Sequence, residues 1–240
     1  PAILKLRKGG YDGKGVMKMK DASSLNDCFD APCVLEEMID FSMEIAVIVA
    51  RNSSGEIVHY PAVEMEFNPD ANLVEFLCSP ARISNEISDK AIAIARKVIE
   101  KTGMIGILAV EMFVTKNGDV LVNEIAPRPH NSGHQTIEGN ITSQYAQHLR
   151  AILGLPLGAT DIVKPSVMIN VLGEKGHEGE AHYSGIEEVM HLDGVYVHLY
   201  GKKITKPMRK MGHVTITDNN LDKAIEKAKV VQKTLKVLTY

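Results

Sequence analysis

The stretch Ile105-Gly106-Ile107-Leu108-Ala109-Val110-Glu111-Met112-Phe113-Val114-Thr115-Lys116-Asn117-Gly118-Asp119-Val120-Leu121-Val122-Asn123-Glu124-Ile125 reads as two apolar runs joined by Asn-Gly. Asn-Gly between such runs is a strong hairpin signal. A turn centred on Asn117 and Gly118 sets Glu111 opposite Glu124, Phe113 opposite Val122 and Thr115 opposite Val120. Directly opposed side chains have Cβ atoms roughly 4.5–5.5 Å apart, so the two carboxylates repel. A divalent cation removes that conflict, and magnesium favours one or two carboxylates together with substrate phosphates. Asn123 adds an oxygen next door, although alternation points it to the other face unless the strand bulges. Pattern alone leaves two readings open: a metal pair, or two solvated glutamates on an exposed hairpin.

Outward from the hairpin, strands and helices mix. Residues 1–6, 33–37, 43–50 and 73–78 read as strands, 33–37 of a buried type, with a returning strand ending at Tyr60. Residues 84–101 are the clearest helix, capped by Ser84 and ended by Gly103. A short helix is expected at 21–28, another at 143–153, a third near 185–191 and an amphipathic one from Leu221. Strands are expected at 167–172, 195–199 and 213–217, and 127–140 reads as irregular. The Pro/Gly/Ala-rich stretch 155–165 is the best domain boundary. The class is α+β.

Composition narrows the function. Charged residues make up 24% and the net charge is −3, which lacks the basic excess of a nucleic-acid binder. No apolar run approaches the roughly 20 residues of a membrane helix. Cys28, Cys33 and Cys78 are too few and too loosely spaced for a disulfide framework, so a reduced, cytoplasmic chain is expected. The chain opens at Pro1 without methionine and enters a strand directly, as though cut from something longer.

Three further segments carry polar chemistry. Lys5 to Gly15 packs four glycines and four cations into eleven residues, a pattern that suits phosphate oxygens. It matches neither the Walker loop nor the dinucleotide fingerprint. Residues 123–134, Asn-Glu-Ile-Ala-Pro-Arg-Pro-His-Asn-Ser-Gly-His, put Arg128, His130, Asn131 and His134 close after Glu124. Arginine fits phosphate or bicarbonate. The spacing of His130 and His134 invites zinc, but Asn-Ser-Gly is poor helix and no third ligand stands out. Residues 200–213 form a basic loop, solvated or anion-binding.

Taken together, Gly-Gly-Tyr-Asp-Gly-Lys-Gly at 9–15, the 123–134 block and Arg-Lys-Met-Gly-His at 209–213 resemble the 5-(carboxyamino)imidazole ribonucleotide synthase family, ATP-grasp enzymes of purine biosynthesis. The resemblance runs over essentially all 240 residues. Family members carry an N-terminal Rossmann-like domain and the first part of the ATP-grasp module as well. It therefore implies the C-terminal two-thirds of such an enzyme: a partial ATP-grasp fold with a small β-rich C-terminal domain. The implied division is a lid part at 1–35, a central domain at 36–155 and the small domain at 156–240.

The roles that follow are what the resemblance implies. Glu111 and Glu124 hold magnesium. ATP is bound by Lys5, Gly10, Tyr11, Asp12, Gly13, Lys14, Gly15, the hinge residues Glu36, Glu37, Met38 and Ile39, and by Glu44, Asn123 and Glu124. The ribonucleotide substrate is held by Tyr11, Asp12, Lys14, Asn131, Lys202 and Arg209. Arg128, His130 and Lys202 form the catalytic set, with Arg128 and His130 near bicarbonate. The implied reaction carboxylates aminoimidazole ribonucleotide with ATP and bicarbonate, through carboxyphosphate, in a protein that is a homodimer at full length. One departure stands out: the stretch Tyr60 to Phe67 lacks a histidine that some members place against ATP. The alternatives are another ATP-grasp purine ligase, such as the formate-dependent glycinamide ribonucleotide transformylase, or a nucleotide-binding module without activity.

Overall fold

A computed structural model describes residues 1–10, 15–68 and 73–240. The strands and helices run, in chain order, β1 (Ala2–Leu6), β2 (Val16–Met19), β3 (Cys33–Glu37), β4 (Phe41–Arg51), β5 (Ile57–His59), β6 (Val63–Asn68), β7 (Leu73–Ser79), α1 (Asn85–Thr102), β8 (Gly106–Thr115) and β9 (Val120–Ala126). They continue with α2 (Thr136–Gly139), α3 (Gln144–Ile152), β10 (Ser166–Leu172), β11 (Gly179–Glu180), β12 (His182–Ser184), α4 (Ile186–Met190), β13 (Val195–Leu199), β14 (Ile204–Thr205), β15 (Lys210–Thr217), α5 (Leu221–Thr234) and β16 (Lys236–Leu238). The α+β expectation holds, and no helix among the described residues is long and apolar enough to cross a membrane.

Most of the described chain is organised on one antiparallel sheet, in the order β13-β15-β10-β7-β6-β4-β8-β9, with β5 beside β4. Its strands alternate cleanly between two faces. On one face Ile45, Val47, Val49, Leu108, Val110 and Met112 pack under α1. The same face continues through Cys78, Val167, Ile169, Val214 and Ile216 beneath α5. The register then forces Glu44, Ala46, Glu111, Met168, Asn170 and His213 onto the opposite face. Both helices cover one side, and the chemistry lies on the other.

Local signals explain the helices. Ser84 Oγ accepts from the Ile87 amide and Gly103 closes α1 at φ 64°. Ser143 caps α3 through the Ala146 amide, and Asn220 caps α5 twice. Asp21 caps a 3-10 turn at Ala22–Asp27.

The structure differs from the sequence expectations in three places. The strand at 33–37 is not of a buried type: Val34 and Leu35 are 46% and 63% exposed. It is an outer strand of a separate three-stranded sheet, β2-β1-β3. The distal basic stretch is shorter as a loop than it reads, since Lys210 already opens β15. The stretch 155–165 joins α3 to β10, and β10 pairs with β7 of the large sheet. The third difference concerns the hairpin. Thr115, Lys116, Asn117 and Gly118 form its turn, with Gly118 at φ 83°, and Phe113 pairs with Leu121 while Val114 pairs with Val120. Three-residue turns of this kind end on a glycine in the left-handed region.

A bulge between Glu111 and Met112 corrects the offset, and Glu111 does pair with Glu124. Asn123 is the extra residue. In an unbroken ladder it would lie opposite Met112, which is fully buried against α1. An amide there would lose its hydrogen bonds, and the bulge avoids that.

Candidate active site

Adjacent strands bring three carboxylates to one end of the open face. Ala46 pairs with Glu111 and Glu44 with Phe113, so Glu44 lies one alternation along from Glu111 on the same side. Glu124 lies across from Glu111. The electrostatics record the crowding. Burial, then the charge on Glu124 and that on Glu44, push Glu111 up to about 7. Burial, then Glu124, push Glu44 up to about 7, with Lys5 pulling the other way. The charges on Lys210 and Arg128 act the other way and lower Glu111. Two opposed carboxylates under mutual repulsion fit a magnesium ion that takes its other ligands from nucleotide phosphates.

The small sheet delivers a cation to this end. Lys5 Nζ lies 2.7 Å from Glu36 Oε2 and donates to Asn123 Oδ1 at 3.0 Å. The bulge is what turns Asn123 toward it. Next to Lys5, the Leu6 amide bonds the Gly15 carbonyl at 2.8 Å. This closes the stem of the glycine-rich loop. Gly15 sits at φ 78°, and a Cβ there would lie 2.9 Å from Leu6 Cδ1. Gly10 belongs to the same stem; Tyr11, Asp12, Gly13 and Lys14 lie outside the described residues. Glu37 ends β3, and Met38 and Ile39 follow it, half-buried, before β4.

The loop after β9 folds back over the open face. His130 Nδ1 lies 3.0 Å from Ser132 Oγ and 3.4 Å from Glu111 Oε1. Arg128 is exposed, with Nη1 donating to the Pro129 carbonyl. Asn131 exchanges amide hydrogen bonds with Asn170 of β10, at 2.9 and 3.3 Å. That pairing ties the loop to the far half of the sheet. Lys202 donates to the Lys210 carbonyl at 2.6 Å and lies 5.5 Å from the Tyr200 ring centroid. Arg209 donates to the Ile204 carbonyl at 2.7 Å. The turn before it puts Met208 at φ 63°, a conformation costly for a side-chain-bearing residue and common at binding sites.

Sequence reasoning missed a column of rings. His213 stacks on His198 at 4.5 Å and lies 4.6 Å from His134, whose ring also faces Tyr145 and Tyr200. His198 Nε2 bonds Glu138 at 2.8 Å. Burial holds His134 and His213 neutral. It lowers His134 to about 4 and His213 to about 3, with neighbouring positive charge adding to each. Nothing in the sequence marks these residues as neighbours, because three separate segments supply them.

With this geometry in view, the comparisons carry weight. The ATP-grasp domain family matches residues 1–145, and the phosphoribosylaminoimidazole carboxylase C-terminal domain matches 166–227. The chain is 42% identical over 231 residues to N5-carboxyaminoimidazole ribonucleotide synthase of Bacillus subtilis, which covers 94% of the chain and 58% of that relative. The crystal structure of the corresponding synthetase from Thermotoga maritima superposes with a TM-score of 0.90 at 46% identity, covering all of this chain and 63% of that one. A synthase structure from Aspergillus clavatus in complex with ADP and 5-aminoimidazole ribonucleotide follows at 0.84 and 33% identity, covering 97% and 62%. The chain thus spans about three-fifths of the length of these relatives. It belongs to the ATP-grasp family, in the branch whose members carry the phosphoribosylaminoimidazole carboxylase C-terminal domain.

Proposed function

We propose that the protein containing this chain carboxylates 5-aminoimidazole ribonucleotide to N5-carboxyaminoimidazole ribonucleotide, using ATP and bicarbonate. The observation that carries the reading is the opposed pair Glu111 and Glu124, with Lys5 held beside it through Asn123 and with Lys210 and Arg128 close enough for their charge to act on Glu111. Such an array suits the triphosphate of a nucleotide and its metal.

In this reading Glu111 and Glu124 hold magnesium, which when bound neutralises charge on the nucleotide phosphates. Lys5, Gly10, Gly15 and Asn123 face those phosphates, together with Tyr11 to Lys14. Glu36 to Ile39 line the adenine and Glu44 its ribose. A bicarbonate oxygen attacks the γ-phosphorus, ADP departs and carboxyphosphate forms. The exocyclic amine of the ribonucleotide then attacks the carboxyl carbon, phosphate leaves, and the amine loses a proton. Arg128 orients bicarbonate and His130, beside Glu111, stands ready for proton transfer. Lys202 and Arg209 hold the ribonucleotide phosphate, together with Asn131 and residues 11, 12 and 14. The divisions 1–35, 36–155 and 156–240 separate lid, nucleotide and C-terminal parts. Free Cys28, Cys33 and Cys78 suit a cytoplasmic setting, and homodimerisation at full length belongs to the same proposal.

The test is ADP release with magnesium-ATP and bicarbonate, with and without 5-aminoimidazole ribonucleotide. Release that requires this ribonucleotide supports the reading. Release that requires glycinamide ribonucleotide instead overturns it.

A further inference from the structure

Gln144 stands outside every role assigned above, yet all its polar capacity is directed at the loop over the site. It is the first residue of α3 and is fully buried. Its Oε1 accepts from the His130 amide at 2.9 Å, and its Nε2 donates to the His130 carbonyl at 2.8 Å. One side-chain amide thus pairs with both backbone groups of His130, as a neighbouring strand would. The same Nε2 approaches His134 Nδ1 at 3.0 Å, which Tyr145 Oη also meets at 2.9 Å. With a donor on Nδ1, the neutral His134 ring carries its proton on Nε2.

The surroundings leave the amide no alternative place. The Gln144 backbone amide donates to Thr136 Oγ1 at 2.8 Å. A Cβ on Gly133 would lie 2.5 Å from Gln144 Oε1 and 2.2 Å from Ile48 Cδ1, so a side chain there would displace one or both of them. His130 is thereby fixed in an extended conformation, φ −127° and ψ 156°, with Nδ1 turned toward Ser132 and Glu111. Through His134 the same amide reaches the ring column on β13 and β15, the strand that carries Lys210.

We infer that Gln144 is the positioning residue of the reaction: its amide fixes the His130 backbone, and with it the imidazole beside Glu111 and the adjoining Asn131, which pairs with Asn170 of β10. The inference rests on the proposed carboxylation for its kinetic consequence and on the geometry alone for its structural one.

Two variants test it. Gln144→Met keeps the volume and removes all three hydrogen bonds, whereas Gln144→Glu keeps the shape and the bond from the His130 amide. Both are compared with the parent in ADP release and in hydrogen exchange at the His130 amide. We expect the Met variant to lose about 10-fold to 100-fold in kcat, the scale of a sub-ångström to ångström misplacement. Its KM for ATP should be unchanged, the Glu variant should fall between, and the His130 amide should exchange faster in step. A Met variant with parental kcat overturns the inference, because space-filling alone would then suffice. A matched rise in the KM for ATP also overturns it, since that marks general loosening of the site. Should the Met variant not fold, the Glu variant carries the same comparison. A parent that releases no ADP fails the proposed function, and the His130 exchange rates then decide the structural claim by themselves.

Discussion

Oε1 of Glu111 lies 3.4 Å from Nδ1 of His130, so the loop leaving β9 turns its first ring back onto the carboxylate pair it has just passed. The contact joins the two halves of the proposed chemistry: the carboxylates that would hold the metal and the ring that would serve the transferred carboxyl group.

Glu111 gives a prediction with a definite sign. Its folded pKa, about 7, lies above the ordinary value of 4.5. The folded state therefore holds the proton more tightly, and this stabilisation is complete below pH 4.5 and lost as pH rises to about 7. The slope is at most about 1.4 kcal/mol per pH unit for one proton. Glu111→Gln should flatten the fall in urea midpoint between pH 5 and 8 in the nucleotide-free protein. The same variant should lower magnesium-dependent ADP release by about 100-fold or more. An unchanged pH profile would refute the electrostatic account.

The ring column predicts the opposite trend at acid pH. His213 and His134 titrate near 3 and 4 in the fold, against 6.5 as the reference. Lowered values mean stability that is present above pH 6.5 and lost as pH falls from there toward 4. His213→Gln should reduce the steepness of acid unfolding in that window by about one proton, or about 1.4 kcal/mol per pH unit. Denaturant titrations at pH 7, 6 and 5 measure it. Parallel curves for variant and parent would contradict the claim that His213 is buried neutral.

Arg82 tests the independence of the two faces. Its guanidinium bonds both oxygens of Glu64, at 2.9 and 2.7 Å, and reaches Glu66 as well. Glu64 is 5% exposed and lies on the helix side of the sheet. Arg82→Met should leave the buried Glu64 carboxylate with the residue 82 backbone amide, at 3.2 Å, in place of the guanidinium, and cost about 1–3 kcal/mol. Nucleotide affinity, measured by calorimetry on the folded fraction, should not move. A large affinity change would mean that the faces communicate.

Lys5 predicts the reverse pattern. Its ion pair with Glu36 is partly exposed, with side chains 24% and 40% accessible, and such pairs contribute about 0–1 kcal/mol. Lys5→Met should shift Tm by only a few degrees while weakening ATP binding by about 10-fold. Equal affinity in parent and variant would remove Lys5 from the nucleotide site.

Much of this was legible in the sequence where the signal is local. Ser84, Ser143 and Gly103 mark helix ends because caps involve only near neighbours. The opposition of Glu111 and Glu124 was legible because a hairpin is closed by its own turn. The tip register was not, because the cost of placing Asn123 beside Met112 depends on α1, which packs there only in the folded chain. The exposure of Val34 and Leu35 escaped for a related reason: an apolar run does not say whether both faces of its sheet are covered. Gln144 and the His134, His198 and His213 column were invisible, since their meaning lies in contacts across 10 to 79 residues of chain. The blocks shared with the synthase family supplied the proposed function, which periodicity could not.

The bulge at Asn123 leaves the hairpin with slack. An unbroken ladder from a two-residue Asn117-Gly118 turn and the observed three-residue turn with a bulge set the same two glutamates face to face. The carboxylate pair is thus insulated from whatever happens at the tip, and only Asn123 registers the choice. In one register it meets Lys5; in the other it would be withdrawn to the far side of the sheet. Turn chemistry at the solvent end of the hairpin therefore acts as a tuning screw on the lysine, adjustable without disturbing the pair that would hold the metal.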